Sequence, residues 1–130
     1  MKLVGLALTA LAIAMSAAPL QAAERVKFEP ATFEAAKAKG ARILVEVHAP
    51  WCPTCKAQAP IIASLEQKAE NKDLLILAVD FDSQKEALRS LNVRQQSTLI
   101  AFRGATETSR SVGETNANAI ATLVASNIAK

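Results

Sequence analysis

Sulfur and imidazole are scarce in this chain of 130 residues, which has two cysteines, Cys52 and Cys55, and one histidine, His48. Without a second cysteine pair, a closed four-thiolate zinc site within one chain is excluded. No cysteine lies near the small residues Ser16 to Ala23, so a lipid anchor has no attachment point there. Blocks of like charge are also missing. Lys and Arg number 15 against 12 Asp and Glu, a formal net charge of +3, and the two signs are interspersed. Neither nucleic acid nor an anionic membrane surface is indicated as a partner. There is no internal repeat, low-complexity segment or linker, which leaves one domain with one core.

The longest apolar run stands at the N-terminus. Lys2 supplies a short positive region, Leu3 to Met15 is rich in Leu and Ala, and Ser16 to Ala23 offers small residues for cleavage. That is the anatomy of a secretory signal peptide, and the run is too short for a comfortable membrane span. Residues 1–22 are expected to be cleaved, after Ala22 or Ala23, leaving residues 23–130 as a monomeric mature domain without membrane insertion. Export implies an oxidising compartment, the periplasm in a Gram-negative host, where structural disulfides are common. A structural bridge gains most by closing a long loop. Cys52 and Cys55 enclose two residues, so the pair is read as chemistry.

Apolar patterning orders the rest. Val26 to Phe28 reads as a short edge strand, and Pro30 opens a helix that Gly40 caps. Ile43 to Val47 is nearly all apolar, as suits a central parallel strand covered on both faces. The next helix starts near Cys52, with Pro53 in its first turn, where a missing N–H costs nothing. Pro60 is expected to kink it, and it fades at Asn71. Leu74 to Val79 is the strongest strand signal. Ser83 to Glu86 has capping-box spacing for a helix ending near Leu91. Thr98 to Phe102 and Thr108 to Val112 read as antiparallel strands about an Arg103-Gly104 turn. Thr115 or Asn116 caps a last helix that presents Ile120, Leu123, Val124 and Ile128 on one face. The order is β-α-β-α-β-α-β-β-α, an α/β fold with helices on both faces of a mixed sheet.

Both cysteines therefore fall at a strand-to-helix junction, in Pro50-Trp51-Cys52-Pro53-Thr54-Cys55-Lys56. Cys52 at the helix start meets unpaired N–H groups and the positive end of the dipole, which favour its thiolate. Cys55, three residues on, shares a face with it, and a modest adjustment of the first turn reaches disulfide geometry. Cys52 is expected to attack a disulfide and Cys55 to resolve the mixed disulfide.

The strand Ile43-Leu44-Val45-Glu46, the motif Trp51-Cys52-Pro53-Thr54-Cys55-Lys56, Pro60 and the strand Thr98 to Phe102 together resemble the thioredoxin family. The resemblance covers essentially the whole mature domain and implies a thioredoxin fold and exchange with protein thiols and disulfides. It implies that Glu46 takes the proton of Cys55, through water; the other reading is a carboxylate at a sheet end that merely finds a partner. Glu46 lies on a strand expected to be buried, where desolvation favours the protonated acid. Trp51 is expected to cover the site and contact substrate, packing alone being the bland reading, and Lys56 either adds positive charge near Cys52 or is an ordinary solvated helix residue.

Four positions depart from the family pattern. Pro53-Thr54 stands between the cysteines in place of Gly-Pro, Glu46 replaces Asp, Ala78 replaces a Lys, and Ser97 replaces the proline that follows a cis bond. A cis bond before a non-proline costs roughly 3–4 kcal/mol, so Gln96–Ser97 is expected to be trans. In the family this segment offers its backbone to substrate, which makes Gln96 and Ser97 substrate-binding candidates. Ser97 either turns its hydroxyl toward Cys52 or belongs to a loop rebuilt without consequence. Family members with His between the cysteines are strong oxidants. Thr54 has only a neutral hydroxyl, so a reductase or mid-potential exchanger is expected. The chain has no nucleotide or flavin motif and no cofactor is expected, so electrons would come from a membrane carrier or another exported thiol protein. A second reading is a Cu(I)- or Zn(II)-binding metallochaperone using Cys52, Cys55 and His48, against His48 as a polar residue at a strand end.

Overall fold

The computed structural model describes residues 22–129. The expected signal peptide, apart from its last residue, lies outside them. The elements run β1 (Glu24–Lys27), α1 (Pro30–Ala38), β2 (Arg42–His48), α2 (Pro53–Glu66), a 3₁₀ turn (Ala69–Asn71), β3 (Leu74–Asp80), α3 (Lys85–Ser90), β4 (Thr98–Arg103), β5 (Thr106–Val112) and α4 (Ala117–Ala125). One sheet holds the strands in the order β1-β3-β2-β4-β5. β1 and β2 both run parallel to β3, while β4 runs antiparallel to β2 and β5. This is the mixed sheet with helices on both faces that the patterning predicts.

Strand alternation divides the core in two. Ile43, Val45 and Val47 of β2 face α1 and α3 with Phe33, Leu88, Ile100 and Phe102. Leu44 faces α2 and α4 with Ile62, Leu65, Leu99, Ile120 and Leu123. Glu46 and His48 share the parity of Leu44, so the chain's buried acid belongs to the α2 side. Among the described residues no helix is long and apolar enough to cross a membrane.

At the far end of the sheet from Cys52, the turn after β4 docks against the end of α1. Gly104 has φ +57°, and a Cβ there would stand 3.1 Å from the Gly40 Cα and 3.2 Å from the Lys37 carbonyl oxygen. Only glycine permits both that conformation and that approach. Arg42, at the start of β2, is buried beside this end. Its guanidinium bonds Asn127 Oδ1 (2.9 Å), the Glu70 carbonyl (2.9 Å), Asp73 Oδ1 (2.6 Å) and Asn71 Oδ1 (3.0 Å).

Three local expectations are corrected. β1 starts at Glu24, two residues earlier than the alternation suggests, and this brings Arg25 into the sheet. Ser83 does not cap α3. Its N–H and hydroxyl both donate to Asp80 Oδ1 (2.8 and 2.9 Å), so Gln84 becomes the N-cap residue. Ile128 does not join the apolar face of α4, which ends at Ala125, and it is exposed. Asn127 draws the chain inward instead, donating to the Ile43 and Phe102 carbonyls.

Candidate active site

β2 ends at His48, and the chain turns through Ala49-Pro50-Trp51 into α2. Cys52 is the N-cap of α2, with extended backbone (φ −87°, ψ 109°), and Pro53 is the first helical residue. The Cys55 N–H donates to Cys52 Sγ at 3.1 Å, so a sulfur takes the place that a Ser or Asp oxygen fills in an ordinary cap. The two cysteines form a disulfide with Cα atoms 5.3 Å apart. The first-turn adjustment expected from the spacing is this step of Cys52 out of helical backbone.

Both cysteines are buried, Cys52 at 1 % and Cys55 at 8 % exposure. Exposure therefore does not pick out the attacking sulfur. Charge does, because only Cys52 caps the helix and accepts one of its free N–H groups. Cys55 Sγ lies 3.9 Å from the Val47 carbonyl oxygen.

Glu46 lies on the same side of the sheet and is 7 % exposed. It lines a cleft of about 370 Å³ together with Cys55, His48, Lys56, Ala59 and Arg25. Glu46 and Cys55 thus border one cleft large enough to hold water. The carboxylate also has a partner that local sequence did not indicate, since Arg25 of β1 forms an ion pair with it. Arg25 also bonds Glu66 of α2, its Nε donating to Oε1 at 2.7 Å. Burial pulls the Arg25 guanidinium toward neutrality, but Glu46 and Glu66 outweigh it and raise its pKa above the ordinary arginine value.

Trp51 is 54 % exposed beside the disulfide. Its indole N–H donates to Asp82 (2.9 Å), and its ring meets Phe81 edge-on with centroids 6.4 Å apart. Asp82 and Phe81 thus hold the tryptophan from the turn after β3. Asp80 shapes that turn. Backbone and hydroxyl hydrogen bonds from Ser83 hold its carboxyl below the usual carboxylate range, with smaller help from the Asp82 N–H and His48.

Opposite the helix start, Gln96–Ser97 is trans, as expected; no peptide bond among the described residues is cis. Ser97 adopts φ +58° and is buried. Its N–H donates to the Val47 carbonyl (2.8 Å), and its carbonyl accepts from the Gly113 N–H (3.1 Å) and Gln58 Nε2 (3.1 Å). Its hydroxyl donates to the Gln96 carbonyl (2.6 Å) instead of addressing Cys52. The polar groups of Ser97 are therefore committed inside the protein, while Gln96 remains half-buried at the rim.

Gln58 is a further site residue that the motif did not mark. It is fully buried on α2 and its amide also donates to the Glu114 carbonyl (2.9 Å), tying the helix to both loops opposite. The spacing Cys55, Gln58, Ile62, Leu65 offered a signal, because it places a glutamine on an otherwise apolar buried face. His48 ends β2 half-buried, in register with Asp80. Among the described residues no group of three or more His, Cys, Asp and Glu is placed to hold a metal ion. The metallochaperone reading gains no support from the geometry.

Comparison with known proteins matches the thioredoxin family model to residues 24–126. The crystal structure of Trxlp from Edwardsiella tarda EIB202 superposes with a TM-score of 0.75 at 40% identity, covering 78% of this chain and 98% of that one. Thioredoxin of Chlamydia trachomatis is 37% identical over 71 residues, 55% of this chain and 68% of its own length. Protein disulfide-isomerase of Gallus gallus is 39% identical over 75 residues, 56% of this chain but 15% of that longer protein. A cysteine pair that closes a disulfide at a helix N-terminus, in this fold and among these relatives, is the equipment of an oxidoreductase. The chain belongs to the thioredoxin family.

Proposed function

We propose that the protein is an exported thiol–disulfide oxidoreductase that reduces protein disulfides through the Cys52–Cys55 pair. The observation that carries the reading is the Cys52 cap, a sulfur already accepting a helix N–H and so prepared to bear negative charge. The Cys52 thiolate attacks a substrate disulfide, forming a Cys52–substrate bond and releasing the other substrate sulfur as a thiolate. Glu46 accepts the Cys55 proton through water in the cleft. The Cys55 thiolate then attacks Cys52 Sγ, and the second substrate sulfur leaves and is protonated. The substrate gains two electrons and the protein ends as the disulfide.

Thr54 supports the reductive direction, since it adds no cation between the cysteines. Trp51, exposed beside the pair, and Gln96 at the opposite rim suit contact with the substrate chain. Ser97 supports that rim from below, its polar groups being turned inward. The N-terminal anatomy of Lys2, Leu3–Met15 and the small residues after it supports export to a periplasm and electron supply from a membrane or exported thiol donor. The mature domain acts as a monomer on protein thiols and disulfides.

A Cys55→Ser variant tests the reaction. Mixed with a disulfide peptide, it should accumulate a covalent adduct on Cys52, seen as the added mass of half the peptide. Absence of any adduct, or equal capture by a chain carrying both Cys52→Ala and Cys55→Ser, would sink the assignment. Equilibration with glutathione tests the direction; a potential near the strong-oxidant value of about −120 mV would contradict it.

A further inference from the structure

Glu46 is read above as the proton acceptor for Cys55, yet a carboxylate that is 7 % exposed has no ready way of remaining charged. The sheet supplies one. Glu46 is in register with Ala78 on β3, and Ala78 is in register with Lys27 on β1. Arg25, two residues before Lys27, shares that face of β1. Arg25 itself is in register with Ile76, so its guanidinium reaches diagonally across β3 to Glu46, whose own register partner there carries only the methyl of Ala78. Glu66 of α2 receives the other edge of the fork, through Nε at 2.7 Å and the second terminal nitrogen. Arg25 is thus held on two sides and spans from solvent to the buried acid.

We propose that Arg25 is the positioning residue of the proton acceptor, holding Glu46 ionised beside Cys55 and itself held by Glu66. The proposal rests on the reading of Glu46 as base. A neutral acid cannot take the Cys55 proton, and burial without a counter-ion drives a carboxyl to its neutral form. A cation also weakens the carboxylate as a base, so two effects compete. Lost ionisation costs tenfold in active population per pH unit below the transition, whereas lost basicity costs less than tenfold per unit, since a Brønsted coefficient is below one. Within the acid limb the gain in ionised population wins.

Other charged groups face the same region. His48 and Lys56 line the cleft with Glu46 and Cys55. Lys27 and Asp80 line the adjoining cleft on the β1 side, which Arg25 and His48 also border. Asp80 is held below the usual carboxylate range by Ser83. His48 is the one imidazole at the cleft, so the test is run in a His48→Gln background.

The measurement is rapid mixing of the reduced protein with a symmetric nitrothiobenzoate disulfide. Attack by Cys52 releases one coloured thiolate and resolution by Cys55 releases the second, so the second phase reports the step in question across pH. Glu46→Gln should slow that phase by on the order of 100-fold at neutral pH. Arg25→Gln should move the acid limb of that phase up by about one pH unit, a slowing of about tenfold at any pH within the limb. It should then recover to the parent rate or above in alkali, where a structural injury would remain slow. The double variant should be no slower than Glu46→Gln. Adding Ala78→Lys to Arg25→Gln, which places a cation in register with Glu46, should return the limb toward the parent.

An Arg25→Gln profile that superimposes on the parent, with Glu46→Gln slow, overturns the role of Arg25 and leaves the base reading standing. An unchanged Glu46→Gln rate overturns the base reading and this proposal together. Uniform slowing of Arg25→Gln at every pH assigns it a structural role only and likewise overturns the proposal. Should Arg25→Gln fail to fold, Arg25→Lys carries the same test. Its single ammonium keeps the charge without the fork, and an acid limb moved up by less than about one pH unit from the parent's is expected, whereas an unmoved limb overturns the proposal.

Discussion

Ser97→Pro places a proline ring in the loop opposite the cysteines, and the structure says that this chain will reject it. Ser97 has φ +58°, whereas a proline ring fixes φ near about −65°. The Ser97 N–H donates to the carbonyl of fully buried Val47 at 2.8 Å, and proline has no N–H to give. Leaving that carbonyl unpaired costs roughly 1–3 kcal/mol. Turning φ through more than 90° also carries the Ser97 carbonyl away from the Gly113 N–H and the Gln58 amide, each worth about 1 kcal/mol. The expected loss is about 3–5 kcal/mol, a large part of the roughly 5–15 kcal/mol that holds a domain folded. In urea, with a slope of about 1–3 kcal/mol per molar, the midpoint should fall by more than about 1 M. Ser97→Gly separates the causes. It keeps the N–H, relieves a left-handed strain of about 1–2 kcal/mol and loses a hydroxyl bond of about 1 kcal/mol, so its midpoint should barely move. If Ser97→Pro unfolds at the parent midpoint, the loop has a second arrangement of equal stability and the argument from Val47 is wrong.

Two further outcomes follow from the networks away from the disulfide. Arg42→Met leaves the Glu70 carbonyl and the Asn71 and Asn127 side-chain oxygens without their buried donor, and should cost about 3–5 kcal/mol in urea unfolding. Asp73→Asn, at a side chain 59% exposed, should cost less than about 1 kcal/mol, and an equal loss in both variants would contradict the burial argument. The Asp80 carboxyl is held below its ordinary range by Ser83, so its contribution to stability is complete above the unfolded value of about 3.9 and is lost as pH falls through the lower folded value. Acid titration of unfolding should therefore be flatter in Asp80→Asn than in the parent below pH about 4, and parallel curves would refute it.

The parts of the fold that the sequence announces are those decided by near neighbours. Ile43–Val47 and Leu74–Val79 are apolar with at most one interruption, Glu46, and only strands buried on both faces need that. Pro53 after Cys52 marks a helix start because the first turn needs no N–H from it. The failures fall where two local solutions compete. Ser83 with Glu86 has the spacing of a cap, but Asp80 three residues earlier takes both Ser83 donors for its own turn, and the helix begins one residue later. Ile128 continues the apolar spacing of α4, but the helix ends once Asn127 finds two backbone carbonyls and Arg42 to satisfy. In both cases a distant or stronger acceptor overrides the local spacing.

The site shows the same limit in a form that bears on function. Reading the motif against the family marks Ala78 and Ser97 as losses, a missing cation and a missing proline. Each stands in the structure with a partner that lies elsewhere in the chain. Ala78 leaves the space across which Arg25, from the edge strand, brings a cation to Glu46. Ser97 takes a left-handed turn that keeps its N–H for Val47, and buried Gln58 ties its carbonyl to α2 in a way that a proline ring does not require. Neither partner is adjacent in sequence to the position it completes, being 53 and 39 residues away. A substitution at Ala78 or Ser97 should therefore be judged with its partner. Ala78→Lys alone crowds Arg25 against a second cation, whereas in Arg25→Gln the same lysine supplies the charge that was removed. The sign of the effect depends on the pair, and no reading of either position alone can give it.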